Sequence, residues 1–332
     1  MPISSLIRGA VGVAAFAAAL AAGFGTGVSA AVRPNVPSMV RPMTRPGFMT
    51  HVDAKTDLVY ISDAFSLPAG DVNVLTRDGV QIGQITSGMV EPLGMFVDKH
   101  RNLWVANIAN VLVFPRGSLT PSKTLADSVG PPTDVTVCPD GTAYVADLYD
   151  NANSNQASVQ IYPPDHTTPT GSLTYSKDFR NPGVTCDAAG NVWVAVLVQQ
   201  SLPNAGAVIE FPGGKEAGVK DLGVVFQDVY GIKPDNAGNL LVSDFVARTI
   251  TEYTEAGVPT GVQIVTGASQ ILGIALTRDG GFLLGADIDS NTGVLWSFPE
   301  GKKVKTYTCC SRLGLPMNSV QGVAFDPGQA GI

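Results

Sequence analysis

An all-β fold closed into a six-bladed β-propeller is what this 332-residue chain predicts. Three observations carry that reading. A short unit recurs along the chain: a small apolar strand, a turn on Asp-Gly or a near relative, a second strand ending in Asp or Asn, and a third strand. The third strands share an apolar run that proline ends, as in Val111-Leu112-Val113-Phe114-Pro115 and Val294-Leu295-Trp296-Ser297-Phe298-Pro299. Beyond residue 30 no stretch holds a 3.6-residue apolar period, so helices are not expected.

The clearest copies are Gly94-Met95-Phe96-Val97-Asp98 with Asn102-Leu103-Trp104-Val105-Ala106-Asn107, and Gly231-Ile232-Lys233-Pro234-Asp235 with Leu240-Leu241-Val242-Ser243-Asp244. Aligning the ends of the second strands gives Asp63, Asn107, Asp147, Val196, Asp244 and Asp287, separated by 44, 40, 49, 48 and 43 residues. A period near 45 with short strands bounded by Gly, Pro and Asp is that of a propeller blade. Proline closes the third strands because it brings no N–H to a ladder. The ring poses one closure problem. Residues Gln321 to Gly328 look like a further first strand with no blade behind it. Either this strand displaces or supplements Met49 to Asp53 in the first blade, or it begins a seventh blade. Six blades are favoured, with a seven-bladed ring as the alternative, because the segment before residue 48 can add a strand but not a sheet.

The two ends differ from the repeats. Arg8 precedes an Ala-rich apolar run from Gly9 to Phe24, and Val28-Ser29-Ala30 supplies small residues for cleavage, so residues 1–30 read as a secretory signal peptide cut after Ala30. A secreted or periplasmic bacterial protein without a membrane span after cleavage is the expectation. Residues 31–47, with Pro34, Pro37, Pro42 and Pro46 among three arginines, read as an extended tether. The propeller then occupies 48–332. A net charge of −7 with dispersed Lys and Arg argues against nucleic acid as a partner. A monomer is expected.

Four cysteines in an exported chain suggest oxidation, and four allow three pairings. Cys138 and Cys186 both end first strands of adjacent blades, where a staple is geometrically reasonable. Cys309 and Cys310 then either pair with each other or stand as free buried thiols.

The residues Pro92-Leu93-Gly94-Met95-Phe96-Val97-Asp98 with Asn102 to Asn107, and Thr136-Val137-Cys138-Pro139-Asp140-Gly141 with Tyr144-Val145-Ala146-Asp147, resemble the NHL-repeat propellers and their gluconolactonase and regucalcin-like relatives. The resemblance spans roughly residues 48 to 326. It implies a site on the face where second-to-third-strand loops gather round the channel mouth. It is specific for fold rather than activity, since such propellers include lactonases, lyases and modules that only bind. The lactonase-like relatives hold a divalent cation on the axis through a first-blade glutamate and later Asn and Asp residues. Here Pro46-Gly47-Phe48-Met49 offers no glutamate, and Glu91, a blade later, is the available stand-in.

Three residues before each first-strand glycine, or before its equivalent Asp134, stand Glu91, Pro131, Arg180, Asp228, Gln270 and Ser319, which should ring the mouth. Glu91 and Asp228 belong to blades two and five and would face each other. They are candidate ligands for a divalent cation, Ca²⁺ foremost, or for a cationic ligand. Asn107, Asp150 and Asn153, with Arg180 and Gln270, are candidate ligand-binding residues. The shortest second-to-third loops are expected in blades two and five, leaving a trough between the long loops of blades one, three and four. Asp287, Asp289 and Asn291 resemble the front of a calcium loop, but the glycine comes one position late and Phe298 stands at the twelfth place. The recurring Asp63, Asn107, Asp147, Asp244 and Asp287 are better read as side chains that bond loop backbone. Nucleophilic catalysis finds no motif: His51, expected in a first strand, His100 and His166 stand apart, and no Gly-x-Ser-x-Gly occurs. The leading expectation is a non-catalytic propeller binding a small molecule, glycan or protein. The alternative is a metal-dependent lactonase, hydrolase or lyase at the channel mouth. A rigid spacer is a third reading.

Overall fold

The computed structural model describes residues 46–65, 69–153, 156–177, 180–198, 205–308 and 320–328. The segments expected to be a signal peptide and tether, up to residue 45, and Cys309, Cys310 and Ser319 lie outside them.

Strands build the domain, with one short 3-10 turn at Pro212–Gly214 among the described residues, and they assemble in chain order. Blade one comprises β1 (Phe48–Met49), β2 (Leu58–Asp63), β3 (Asp71–Thr76) and β4 (Gln81–Ile85). Blade two comprises β5 (Pro92–Val97), β6 (Leu103–Asn107), β7 (Asn110–Phe114) and β8 (Lys123–Ala126). Blade three comprises β9 (Pro132–Val137), β10 (Ala143–Asp147), β11 (Val159–Tyr162) and β12 (Gly171–Leu173). Blade four comprises β13 (Arg180–Cys186), β14 (Val192–Leu197), β15 (Gly206–Phe211) and β16 (Lys220–Asp221). Blade five comprises β17 (Val229–Pro234), β18 (Leu240–Asp244), β19 (Thr249–Tyr253) and β20 (Pro259–Val265). Blade six comprises β21 (Ile271–Leu276), β22 (Phe282–Asp287), β23 (Thr292–Ser297) and β24 (Lys303–Tyr307). The last strand, β25 (Val320–Asp326), returns to blade one. Every neighbouring pair is antiparallel, in meander order.

The closure is thereby decided. β25 pairs with β2 and becomes the inner strand of blade one, while Phe48–Met49 pairs with Gln84 and Gly83 at the outer edge, making that sheet five-stranded. The expected first strand at Met49 to Asp53 is therefore displaced. His51 is an exposed residue outside any strand, so it does not point into the channel. The physical reason is burial. β25 reads Val-Gln-Gly-Val-Ala-Phe-Asp and is buried along its whole length, whereas Phe48 is 42% exposed.

Two polar devices repeat. At the turn after β5, β13 and β17, Asp98, Asp187 and Asp235 accept hydrogen bonds from backbone N–H groups two and four residues on and from the side chains of Asn102, Asn191 and Asn239. Asp98 and Asp187 also take the indole N–H of Trp104 and Trp193. Between blades, Ser62, Thr133 and Ser243 donate to the carbonyls of Leu93, Asn181 and Ile271. These bonds tie blades one to two, three to four and five to six. Cys138 and Cys186 form a disulfide that also joins blades three and four.

The inner strands approach so closely that a Cβ on Gly94, Gly183, Gly231, Gly273 or Gly322 would fall within 3.0 Å of backbone in the next blade. Glycine is required there for lack of space. Blade three breaks the pattern with Asp134.

Candidate functional site at the channel mouth

Asp134 stands where the other blades carry glycine, and its carboxylate lies inside the ring. Its oxygens accept from Val135 N at 2.9 Å and Val184 N at 3.1 Å. Lys233 of blade five crosses toward it, with Nζ 3.7 Å from Asp134 Oδ2 and 3.5 Å from Val184 O. Both residues are buried, at 8% and 3% exposure. Burial pushes the Asp134 carboxyl above its ordinary range, and the Lys233 ammonium pulls it back. The pair spans blades three to five and excludes solvent from that side of the axis. Sequence reasoning missed it. The available signals were the carboxylate at the glycine position and a lysine inside an otherwise apolar inner strand.

Above this floor, a register shift near the start of each inner strand re-aims the residues that enter the mouth. Arg180 of blade four lies over the Tyr149 ring of blade three, 5.1 Å from its centroid. Gln270 of blade six, with its amide nitrogen facing Asp289, donates to both carboxylate oxygens at 3.0 and 3.2 Å. Asp289 is also 3.8 Å from Arg248 of blade five. Pro131 brings no polar side chain. Glu91 is half-buried, has no hydrogen-bond or ion-pair partner among the described residues, and is held above the usual glutamate range by burial. Asp228 is fully buried and neither of its oxygens has a partner among the described residues. Burial, followed by the nearby Asp244 carboxylate, raises its pKa to about 7. Tyr230 and Phe245 pack at the same entrance with ring centroids 5.3 Å apart and planes tilted by 49°.

Most of the recurring Asp and Asn side chains bond the neighbouring loops. Asn107 donates to Gly88 O and accepts from Val90 N. Asp244 accepts from the backbone N–H groups of Gln227, Asp228 and Ala247. Asp287 accepts from Asp289 N and the Ser290 hydroxyl. Asp147 accepts from Gln160, and burial together with Asp127 pushes its carboxyl up to about 9. Asp150 accepts from Ala152 N, and its carbonyl accepts from Asn153 N, so the described part of the blade-three loop folds onto itself.

The residues proposed for metal do not converge. Asp287 is committed to its own loop, Asp289 faces Arg248 and Gln270, and Asn291 takes a left-handed φ of 53° within the turn. Among the described residues no group of three or more His, Cys, Asp or Glu side chains is arranged to hold an ion. The rim also differs from expectation. The blade-six loop, residues 288–291, is as short as that of blade five, 245–248, so the low part of the face extends over both blades.

Comparison with known proteins places the fold. No family model and no curated protein matches the chain. Among solved structures, a chain of the nidogen/laminin complex aligns with a TM-score of 0.62 at 13% identity, covering 81% of this chain and 98% of that one. A protein of unknown function from Bacteroides caccae aligns at 0.58 and 12%, with the same coverage. Hydrazine synthase from Kuenenia stuttgartiensis aligns at 0.55 and 16%, covering 72% of this chain and 80% of that one. At such identities the likeness is one of fold: a six-bladed β-propeller. Among the described residues no helix is long and apolar enough to cross a membrane.

Proposed function

We propose that the protein is a secreted, NHL-like propeller that binds a ligand or protein partner at its loop face without catalysing a reaction. The observation that carries this reading is the set of side chains at the mouth: Glu91 and Asp228 have no partner among the described residues, and Asp228 lies beside the Tyr230–Phe245 ring pair. The second-to-third-strand loops are unequal in length, which gives the loop face an asymmetry that a uniform ring would lack. The nidogen/laminin complex, whose name records an assembly of proteins, adds a precedent for the fold in partner binding. Export rests on the Ala-rich leader and its small-residue cleavage pattern.

The test sets binding against hydrolysis. Purified protein should carry no stoichiometric divalent metal and should not open aldonolactones in a chelator-sensitive way. Chelator-sensitive turnover that Glu91→Gln abolishes would replace this reading with the hydrolase one.

A further inference from the structure

The polar side chains of the mouth divide into engaged and unengaged. Arg180 is laid on Tyr149, and Gln270 holds Asp289, which also faces Arg248. Glu91 and Asp228 remain without partners among the described residues. Both are acids, and they belong to blades two and five, which stand opposite each other in a six-membered ring. The equivalent side chains in blades four and six, Arg180 and Gln270, reach residues of the second-to-third loops, so this position aims at the loop face. Asp228 supplies the sharper observation, because two carboxylate oxygens with no donor and no exposed surface are costly unless something brings a donor.

We propose that Glu91 and Asp228 are the acceptors for an organic cation, an alkylammonium or guanidinium group, presented by whatever binds at the mouth. This rests on the reading of the loop face as a binding surface. An ammonium or guanidinium group carries several N–H donors and a positive charge, which matches two carboxylates lacking both. Tyr230 and Phe245 at the same entrance favour an organic cation, since ring faces attract such groups. A divalent metal wants six or more oxygens, several of them from carboxylates, and among the described residues no group of three or more His, Cys, Asp or Glu side chains gathers here. Glu91, half-buried, is the first contact. Asp228 is enclosed, so engaging it requires the blade-five entrance to open, and association should be slower than an encounter with a preformed pocket.

Calorimetric titration of the purified chain with agmatine, putrescine, an arginine-containing tripeptide, acetate and Ca²⁺ tests this. The expected result is saturable binding of at least one amine or guanidine and none of acetate. Free agmatine against the tripeptide separates a small-molecule amine from a protein side chain. Glu91→Gln and Asp228→Asn should each weaken binding at least tenfold. Asp228→Asn should melt at the same or a higher temperature than the parent at neutral pH, which separates lost recognition from lost fold. No binding of any cation, binding of Ca²⁺ alone, or amine binding indifferent to both substitutions would overturn the proposal. Should a loop-face ligand of another chemistry then bind the parent and both variants equally, the binding-module reading would survive and this inference would not.

Discussion

Asp228 and Asp147 show how much a single buried carboxylate decides. Both are charged in the unfolded chain above about pH 4, yet in the fold their pKa values rise to about 7 and about 9. Folding therefore takes up protons in between, and stability falls as pH climbs from the unfolded value to the folded one. For Asp228 the window runs from about pH 4 to about pH 7, and the loss is at most roughly 4 kcal/mol at about 1.4 kcal/mol per unit. Thermal melts across that window should show the parent losing stability with rising pH, and Asp228→Asn should flatten the slope. Parallel curves for the two proteins would mean that Asp228 is partnered in solution. The positions of Glu91, Arg180, Asp228 and Gln270 at the entrances of the inner strands were legible because each stands three residues before an inner-strand glycine. The separation into engaged and unengaged groups was not, because it depends on loops from other blades.

At the scale of the element, the inner strand shows the tightest match between sequence and packing. Its glycine recurs because neighbouring backbone occupies the space of a side chain. Gly231→Ala would drive a methyl group into Leu272 O and Ile274 N of blade six. A loss of about 1–3 kcal/mol is expected, the usual cost of overpacking. Gly171→Ala, whose new methyl would meet Ile161 at an ordinary 3.8 Å, should change urea denaturation little. Equal effects from the two substitutions would show that the inner strands yield more readily than their contacts imply. The strand-turn-strand units themselves were readable from the sequence, since alternation, Asp-anchored turns and terminal prolines are local. The displacement of Met49 to Asp53 by β25 was not, because two segments competed for one position and buried area chose between them.

The whole molecule is a ring, and its ends must be held together. Asp326, at the end of β25, is 1% exposed and receives Arg101 Nε at 2.6 Å and Arg116 Nε at 2.5 Å, both from blade two. The same arginines donate to the carbonyls of Asp53, Ala54 and Thr56, where the chain enters blade one. The clasp therefore ties the last inner strand, the entry segment and blade two into one network. Asp326→Ala leaves two guanidinium groups without their carboxylate and should cost about 3–5 kcal/mol. Accelerated proteolysis before Leu58 and after Tyr307 is the expected sign of an opened ring. An unchanged melting temperature would show that the β2–β25 ladder alone suffices.

By itself the sequence pointed to six blades over seven, to the Asp- and Gly-bearing turns within them, and to the residues that precede each inner-strand glycine. These follow from periodicity and from the backbone demands of Gly, Pro and Asp, which act within a few residues of themselves. Tertiary structure alone decided which strand closes the ring, that Lys233 reaches Asp134 across blade four, and that Glu91 and Asp228 have no partner among the described residues. Those outcomes depend on distances between segments tens to hundreds of residues apart, and on burial, which fixes the cost of a charge only once every neighbour is in place.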